Sequence, residues 1–258
     1  MGVRPGRHQR PGRFKFRWTE GIPDREWVLY ERAIRHLRSA KIPFLLGGGF
    51  AFAAYTGRWR DTKDIDLYVE PKDREKAVRA LSATGFEDYF GRLPYDRKWI
   101  YRSTRSGVIV DIIWAMANQR AQVDASWFAH PRRLSIRGDK LPILPIEQMI
   151  WCKLYILQRD RCDWTDLFNL VYAAGGTVDW EGLIERLGED VPLLQAMLGV
   201  YCWLCPAQAL ELPDRLWPRL GLPSPSVSAP DRSQHRATWL DSRGWFIGNE
   251  PPEKKLEI

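Results

Sequence analysis

Residues 42–70 have the sequence IPFLLGGGFAFAAYTGRWRDTKDIDLYVE, which predicts a strand, a glycine turn, a short helix, a loop and a second strand. The run IPFLL, residues 42–46, is short and apolar, as buried strands are. Three glycines follow, and because glycine has no Cβ, the backbone there can turn sharply and approach a ligand closely. Residues 50–55 are compatible with a helix, which Gly57 can end. A helix that begins at a glycine turn presents unpaired N–H groups that suit a phosphate.

The second strand carries two acidic side chains on one face. In DIDLYV, residues 64–69, polar and apolar residues alternate with the period of a strand, so that Asp64 and Asp66 point to one side and Ile65 and Leu67 to the other. Two neighbouring carboxylates repel each other unless a cation lies between them, and Mg²⁺ is commonly held by one or two carboxylates and substrate phosphates. Taken alone, the pair is more typical of a solvent-exposed strand face than of a metal site.

A third acid lies in another apolar strand. The sequence GVIVDIIW, residues 107–114, is rich in β-branched residues, which predicts a central strand with Asp111 inside it. A buried carboxylate is costly without a partner, and backbone N–H groups are one candidate partner. We prefer the interpretation that Asp111 lies beside Asp64 and Asp66, where three carboxylates would hold two divalent ions for in-line phosphoryl chemistry.

The glycine turn and the three acids together resemble a known superfamily. The matching residues come from the turn, the loop and both strands: Gly48, Gly49, Arg60, Thr62, Asp64, Asp66 and Asp111. The chain is similar here to the polymerase β-like nucleotidyltransferases, and within them to the AbiEii-type group, which includes nucleotidyltransferase toxins of toxin–antitoxin systems. That superfamily usually has Gly-Ser where this chain has two glycines, so a phosphate would bind to backbone N–H groups. The resemblance covers about residues 40–175.

The resemblance implies a role for each matching residue. Asp64 and Asp66 would hold two Mg²⁺ or Mn²⁺ ions that bridge the triphosphate of an NTP, and Asp111 would hold the metal nearer the acceptor hydroxyl. The other residues would bind the nucleotide: Gly48, Gly49, Arg60, Thr62, Lys153 and Asp163. Such a site works mostly by positioning and by stabilising charge.

A lysine lies inside an apolar helical stripe in the second half of the chain. Residues 145–158 have helical periodicity, and Lys153 falls among the apolar positions. Such a lysine either extends its ammonium to solvent or binds an anion, and the pattern alone does not decide between them. AbiEii-type enzymes have a helical lysine followed by an arginine and a D-x-x-D pair, which implies that Lys153 contacts the triphosphate. The residues that match this arrangement are Lys153, Arg159, Asp163 and Asp166.

The two aspartates of that pair also have a structural interpretation. Asp163 precedes an apolar helical run and is equally suited to be its N-cap. Asp166 falls in the first turn of the same helix, where the helix dipole stabilises an acid. We favour the structural role for Asp166 and leave both roles open for Asp163.

The remaining periodicities predict an α/β chain of the α+β kind, with a mixed β-sheet nucleotidyltransferase core and a C-terminal helical domain. Helices are predicted at residues 23–40, 71–85, 178–187 and 192–204, strands at 86–90 and 99–103, and a hairpin at 132–144 that turns at Gly138-Asp139. The predicted units are a flexible basic tail at 1–17, the core at 18–144, the helical domain at 145–222 and a Pro/Ser-rich, partly ordered tail at 223–258. Trp239 and Trp245 are expected to dock on the body.

Composition limits the partners and the compartment. The chain has 258 residues, a net charge of +7 and a pI of about 9.3, which favours nucleotides, nucleic acid or acidic proteins as partners. No apolar run reaches the ~18 residues that a membrane span needs, and no apolar signal segment follows the N-terminal arginines. Four cysteines in a chain of this length predict a reducing cytoplasm. Cys202 and Cys205 lie in an apolar helical run without a second ligand pair, which disfavours zinc.

Two classes of function are consistent with these features. The first is an enzyme that transfers a nucleoside monophosphate from an NTP to an acceptor hydroxyl. The basic charge favours an RNA 3′ end such as that of tRNA, and a protein or small-molecule hydroxyl stays open. By resemblance, the enzyme would be a toxin with an antitoxin protein as its partner. The second class is a catalytically silent binding or antitoxin module. The three carboxylates disfavour it, because burying acids costs free energy that a protein without catalytic function has no reason to bear.

Overall fold

The computed structural model describes residues 18–59, 62–226, 233–240 and 246. The predictions for the basic tail at 1–17, for Arg60 and for Trp245 lie outside the described residues. Within the described ranges, none of the helices has the length and the apolar character that crossing a membrane requires.

In the described part of the chain, the strands form a mixed sheet of five and a separate two-stranded hairpin. They are β1 (Leu45–Leu46), β2 (Asp64–Tyr68), β3 (Glu87–Asp88), β4 (Ile100–Arg105), β5 (Val108–Ile113), β6 (Arg133–Ile136) and β7 (Asp139–Pro142). The larger sheet has the order β1-β2-β5-β4-β3, in which β2 and β5 are parallel and the other neighbours are antiparallel. The β-branched run around Asp111 is therefore the central strand, as the sequence predicted.

Helices cover the sheet and make up most of the described chain after Pro145. They are α1 (Asp24–Ser39), α2 (Gly48–Thr56), α3 (Arg74–Ser82), α4 (Ile146–Leu154), α5 (Trp164–Ala174), α6 (Trp180–Leu187), α7 (Val191–Leu204), α8 (Pro206–Ala209), α9 (Leu216–Arg219) and α10 (Ser233–Leu240). The predicted fold class, a mixed sheet with helices and a helical C-terminal region, is confirmed. The division into separate domains at residue 144 stays a prediction.

Strand alternation separates the apolar side chains of the sheet from the acidic ones. Four apolar side chains on one face of β2 and β5 are fully buried: Ile65, Leu67, Val110 and Ile112. Helices α1 and α3 both pack against β5. Because successive side chains of a strand point to opposite faces, the aspartates of both strands lie on the face away from these apolar residues.

Several element boundaries differ from the prediction because local hydrogen bonds end the elements early. The helix predicted at 145–158 ends at Leu154, and the chain then reverses in a loop closed by hydrogen bonds from Gln158 N to Arg161 O (2.7 Å) and from Asp163 N to Ile156 O (2.9 Å). The strand predicted at 86–90 shortens to β3 because the Asp88 side chain accepts a hydrogen bond from Phe90 N and begins a turn.

The structure also refines the predictions for the hairpin, the C-terminal tail and the first strand. The hairpin of β6 and β7 forms as predicted, but Arg137 and Gly138 make the turn, with φ of 47° and 91°. Residues 233–240, which lie in the tail that the sequence predicted to be partly ordered, form α10, and the Trp239 ring lies 6.1 Å from that of Trp203 in α7. The strand predicted at 42–46 is limited to β1.

Candidate active site

The parallel pairing of β2 and β5 brings the three predicted acids together. Asp66 and Asp111 are directly paired across these two strands, and Asp64 lies two residues before Asp66 on the same face. All three side chains line one cavity of about 700 Å³. The pairing register of these two strands thus brings together acids that lie far apart in the sequence.

The glycine turn brings the start of α2 against Asp66. Gly48 is the first residue of α2 and has a φ of 49°, a left-handed conformation that favours glycine. A Cβ at Gly48 would overlap Oδ2 of Asp66, so only glycine lets the backbone lie this close to the carboxylate. The backbone N–H of Gly47 donates to Asp66 O at 2.9 Å, which fixes the turn on β2. Gly48 and Gly49 both line the cavity.

Thr62 positions one of the acids. Its hydroxyl donates a hydrogen bond of 2.5 Å to Oδ1 of Asp64. Thr62 also lines the cavity, close to Gly49, where an added Cβ would lie 3.3 Å from the Thr62 Cβ. The sequence placed Thr62 among the nucleotide-binding residues, and in the structure its direct contact is with Asp64.

Arg102 is a residue of the site that the sequence prediction missed. It lies on β4 opposite Asp111, where its Nε donates to Oδ1 at 2.9 Å and its Nη2 to Oδ2 at 2.5 Å. The same Nη2 lies 3.6 Å from Oδ2 of Asp64. The buried acid is therefore neutralised by a guanidinium, whereas the sequence suggested a metal or backbone N–H groups. The sequence signal that could have revealed this ion pair is an arginine in one predicted strand, a few residues before a buried acid in the next.

Burial and mutual repulsion raise the pKa of Asp66. Desolvation in the cavity, and then the charges of Asp64 and Asp111, raise its pKa from 3.8 to about 8. The hydrogen bonds among the described residues do not include one to its carboxylate. Burial also raises the pKa of Asp111 in spite of Arg102. The hydrogen bond to Asp111 raises the pKa of Arg102, which keeps its charge.

The chemistry of these side chains fits a divalent cation at Asp64 and Asp66. Both carboxylates reach the cavity, and a cation between them would relieve the repulsion that raises the Asp66 pKa. Asp111 is different because Arg102 already bonds both of its oxygens. Accordingly, among the described residues no group of three or more His, Cys, Asp or Glu side chains is arranged to hold a metal ion as it stands.

A lysine on α4 also lines the cavity. Nζ of Lys153 lies 2.6 Å from Oδ2 of Asp163 and 2.8 Å from Oδ2 of Asp166, and it lines the same cavity as the acids. Arg161 Nε donates to Oδ1 of Asp163 at 3.0 Å. Burial raises the pKa of Asp163, but the hydrogen bonds from Arg161 and Lys153 outweigh it and leave that pKa below its usual value.

These contacts bear on the predictions for Asp163, Asp166 and the arginine of the motif. Asp163 stands at the N-cap position of α5, yet its side chain caps nothing and bonds the two cations instead. Asp166 is buried in the first turn of α5 and holds Lys153, in keeping with the structural role that we favoured. The arginine on the cavity wall is Arg161 rather than Arg159, because the loop after α4 reverses between Gln158 and Arg161.

Replacement of Lys153 by methionine is expected to destabilise the fold. The substitution leaves Asp163 and Asp166, both buried, without their shared cation, and breaking a buried pair on one side costs about 3 kcal/mol or more. Urea unfolding at pH 7 measures this loss. Lys72→Met is the control, since Lys72 forms an exposed pair with Glu70 and its loss should leave the midpoint unchanged. Equal midpoints for both variants would contradict the structural role of Lys153.

The fold and the acid-lined cavity define a protein of the nucleotidyltransferase class, with a mixed sheet that presents acids beside a glycine-started helix. A family model described as uncharacterised nucleotidyltransferase matches residues 28–206, which is more than half of the chain. The chain belongs to this family and is a nucleotidyltransferase enzyme. The AbiEii-type group within the superfamily stays a prediction.

Solved structures of similar fold include an antibiotic-resistance factor and an antibiotic adenylyltransferase. The antibiotic-resistance factor ANT(2'')-Ia is 17% identical, with 70% of this chain and 98% of that chain covered and a TM-score of 0.48. The lincosamide antibiotic adenylyltransferase LnuA is 16% identical, with 58% and 94% covered and a TM-score of 0.41. A nucleotidyltransferase structure from Thermotoga maritima is 16% identical, with 52% and 86% covered and a TM-score of 0.39. No curated protein matches the chain.

Proposed function

We propose that this enzyme transfers a nucleoside monophosphate from an NTP to an acceptor hydroxyl in the cavity where Asp64, Asp66 and Asp111 converge. The observation that carries the proposal is the Asp66 carboxylate, which lies in the cavity against the start of α2 with a raised pKa. A carboxylate in this state favours a bound cation. The cavity of about 700 Å³ lies within the range of roughly 300–1,000 Å³ that small-molecule sites have.

A divalent metal, Mg²⁺ or Mn²⁺, is part of the proposal. Asp64 and Asp66 would hold it, and Thr62 orients Asp64 for this task through its 2.5 Å hydrogen bond. When bound, the metal neutralises charge on the triphosphate oxygens.

Groups of the chain itself hold the triphosphate. The N-terminus of α2 offers the backbone N–H groups of Gly48 and Gly49, and a helix N-terminus favours an anion. Lys153 supplies an ammonium in the same cavity, where Asp163 and Asp166 fix its position. The triphosphate would thus lie between α2 and α4, with its α-phosphorus directed towards the acids.

Transfer at this site is a single displacement. The acceptor oxygen forms a bond to the α-phosphorus as the bond from that phosphorus to the pyrophosphate oxygen breaks. The hydroxyl proton passes to the carboxylate of Asp111, whose oxygens must first be released by Arg102. Pyrophosphate leaves with the electron pair of the broken P–O bond, and the transferred phosphate keeps one negative charge as a diester.

The acceptor that the charge favours is an RNA 3′ end such as that of tRNA. The net charge of +7 supports binding of a polyanion, although charge alone does not distinguish RNA from an acidic protein. A toxin function with an antitoxin partner rests on the resemblance of the motif alone. The alternative of a silent binding module is disfavoured, because a protein that performs no chemistry gains nothing from crowding three carboxylates.

Labelled NTPs provide the direct test. The chain is incubated with each α-phosphate-labelled NTP and Mg²⁺ or Mn²⁺, in parallel with total RNA, total protein and a small-molecule extract. We expect label to appear in the RNA fraction, and to fall to the level without enzyme when EDTA removes the metal. Label in the protein or extract fraction would support nucleotidyl transfer but show that the acceptor is not RNA. The enzyme proposal fails if no acceptor is labelled and calorimetry detects no NTP binding.

A further inference from the structure

The guanidinium of Arg102 lies where a cation between Asp64 and Asp111 would lie. Its Nε and Nη2 bond the two oxygens of Asp111 at 2.9 and 2.5 Å, and Nη2 is 3.6 Å from Oδ2 of Asp64. Asp111 is fully buried, whereas the Arg102 side chain keeps 32% of its surface exposed and lines the cavity. The arginine can therefore be reached from the cavity, whereas the acid bonded to it exposes no side-chain surface of its own.

We propose that Arg102 is a positioning residue that keeps Asp111 from binding a divalent ion until the substrate triphosphate draws the guanidinium away. With both oxygens of Asp111 engaged, a divalent ion at this carboxylate would have to replace two charge-assisted hydrogen bonds. It would also stand within a few ångströms of the guanidinium charge, which repels it. Asp64 and Asp66 line the same cavity, and Arg102 makes its hydrogen bonds to Asp111 rather than to either of them, so the empty enzyme takes one ion there.

A triphosphate is suited to displace Arg102 from Asp111. Phosphate oxygens accept the paired N–H groups of a guanidinium with the same geometry as a carboxylate does. Arg102 lies in the same cavity as the start of α2 and Lys153, between which the triphosphate is expected to bind. When the guanidinium turns to the phosphate, Asp111 becomes available to a second ion and to the acceptor proton. This inference rests on the proposed function, since it takes an NTP as the displacing anion.

Manganese binding without nucleotide tests the inference apart from catalysis. Titration followed by electron paramagnetic resonance of free Mn²⁺ should find one ion per chain for the wild type and two for Arg102→Gln. The double variant Arg102→Gln/Asp111→Asn should return to one ion, because the added site is Asp111. Arg97→Gln is the matched control, since Arg97 pairs with Asp88 on the surface and is not among the residues that line the cavity. The inference is overturned if Arg102→Gln binds the same number of ions as the wild type, or if the double variant keeps the second ion.

Two further measurements complete the test. In EDTA, Arg102→Gln should bind a labelled NTP about tenfold more weakly than the wild type or Arg97→Gln, as expected for one charge-assisted hydrogen bond. Unchanged NTP affinity would overturn the inference that the Arg102 guanidinium moves from Asp111 to a phosphate. If Arg102→Gln is unfolded without metal, refolding in Mn²⁺ supports the inference and failure to refold overturns it. None of these readouts requires an acceptor, so a failure of nucleotidyl transfer is distinguishable from a failure of this inference.

Discussion

Asp66→Asn is expected to abolish nucleotidyl transfer while leaving the protein folded. The asparagine keeps the shape of the β2 side chain that lies against Gly48 but removes the charge that would bind the metal. Loss of one group that stabilises transition-state charge lowers kcat by about 10²–10³-fold, and we expect the upper end of that range here. Incorporation of label from an NTP, measured at saturating Mg²⁺, gives the ratio. Asp214→Asn, which removes an equal charge from an exposed position, is the control and should keep full activity.

The same variant gives a second result through the pH dependence of unfolding. The folded-state pKa of Asp66, about 8, lies above its ordinary value of 3.8, so between these values the folded protein binds more protons than the unfolded chain. The stability that this group contributes is therefore complete below pH 3.8 and is lost as the pH rises through 8. In EDTA, Asp66→Asn should unfold at higher urea than the wild type at pH 8.5, with the difference disappearing near pH 4.

Both results bear on the same carboxylate, and each can be contradicted separately. Transfer by Asp66→Asn at more than a tenth of the wild-type rate would show that Asp66 is not a metal ligand. Parallel pH profiles for the two proteins would show that the pKa of Asp66 is not raised in the folded enzyme. Full activity of Asp66→Asn together with parallel pH profiles of unfolding would show that Asp66 behaves as an ordinary surface acid.

Gly48→Ala is expected to disable the site through backbone geometry. Gly48 has a φ of 49°, and its missing Cβ leaves the space that Oδ2 of Asp66 fills. Alanine would therefore push α2 and the carboxylate apart, and a misplacement of about 1 Å at a catalytic centre can lower the rate by about 10²-fold. Steady-state transfer kinetics measure this loss, and urea unfolding measures the accompanying strain.

Gly57→Ala separates the clash from the cost of the left-handed backbone. Gly57 ends α2 with a φ of 71°, and an added Cβ there would meet no atom within 4 Å. Both variants bear the cost of about 1–2 kcal/mol that an alanine has in this conformation. Only Gly48→Ala also displaces Asp66, so it should be less stable and far less active. If the two variants lose the same stability and activity, the contact between Gly48 and Asp66 has no role.

The parts of the site that the sequence predicted depend on local patterns. Alternation in β2 placed Asp64 and Asp66 on one face, and the β-branched run around Asp111 marked the central strand. The glycines predicted the start of a helix, and in the structure α2 begins at Gly48. Each of these features is set within a few residues, where backbone sterics and side-chain period act directly.

The contacts that sequence reasoning left open or placed on another residue depend on how elements pair. Arg161 rather than Arg159 reaches Asp163 because a short loop reverses after α4, and such loops follow hydrogen bonds that no periodicity displays. Asp163 resembled a helix cap, and the approach of Lys153 from another helix directed its carboxylate elsewhere. Helix ends and loops were misplaced for the same reason, as in the stretch after Leu154.

Sequence by itself determined the class of fold, the glycine turn and the identity of the three acids, because periodicity and backbone freedom are properties of short segments. Tertiary structure alone decided what each acid touches. The register of β4 on β5 places Arg102 on Asp111, and the packing of α4 on α5 places Lys153 between Asp163 and Asp166. Strand register and helix packing result from the burial of apolar surface over the whole domain, so these contacts are fixed only when the chain is folded.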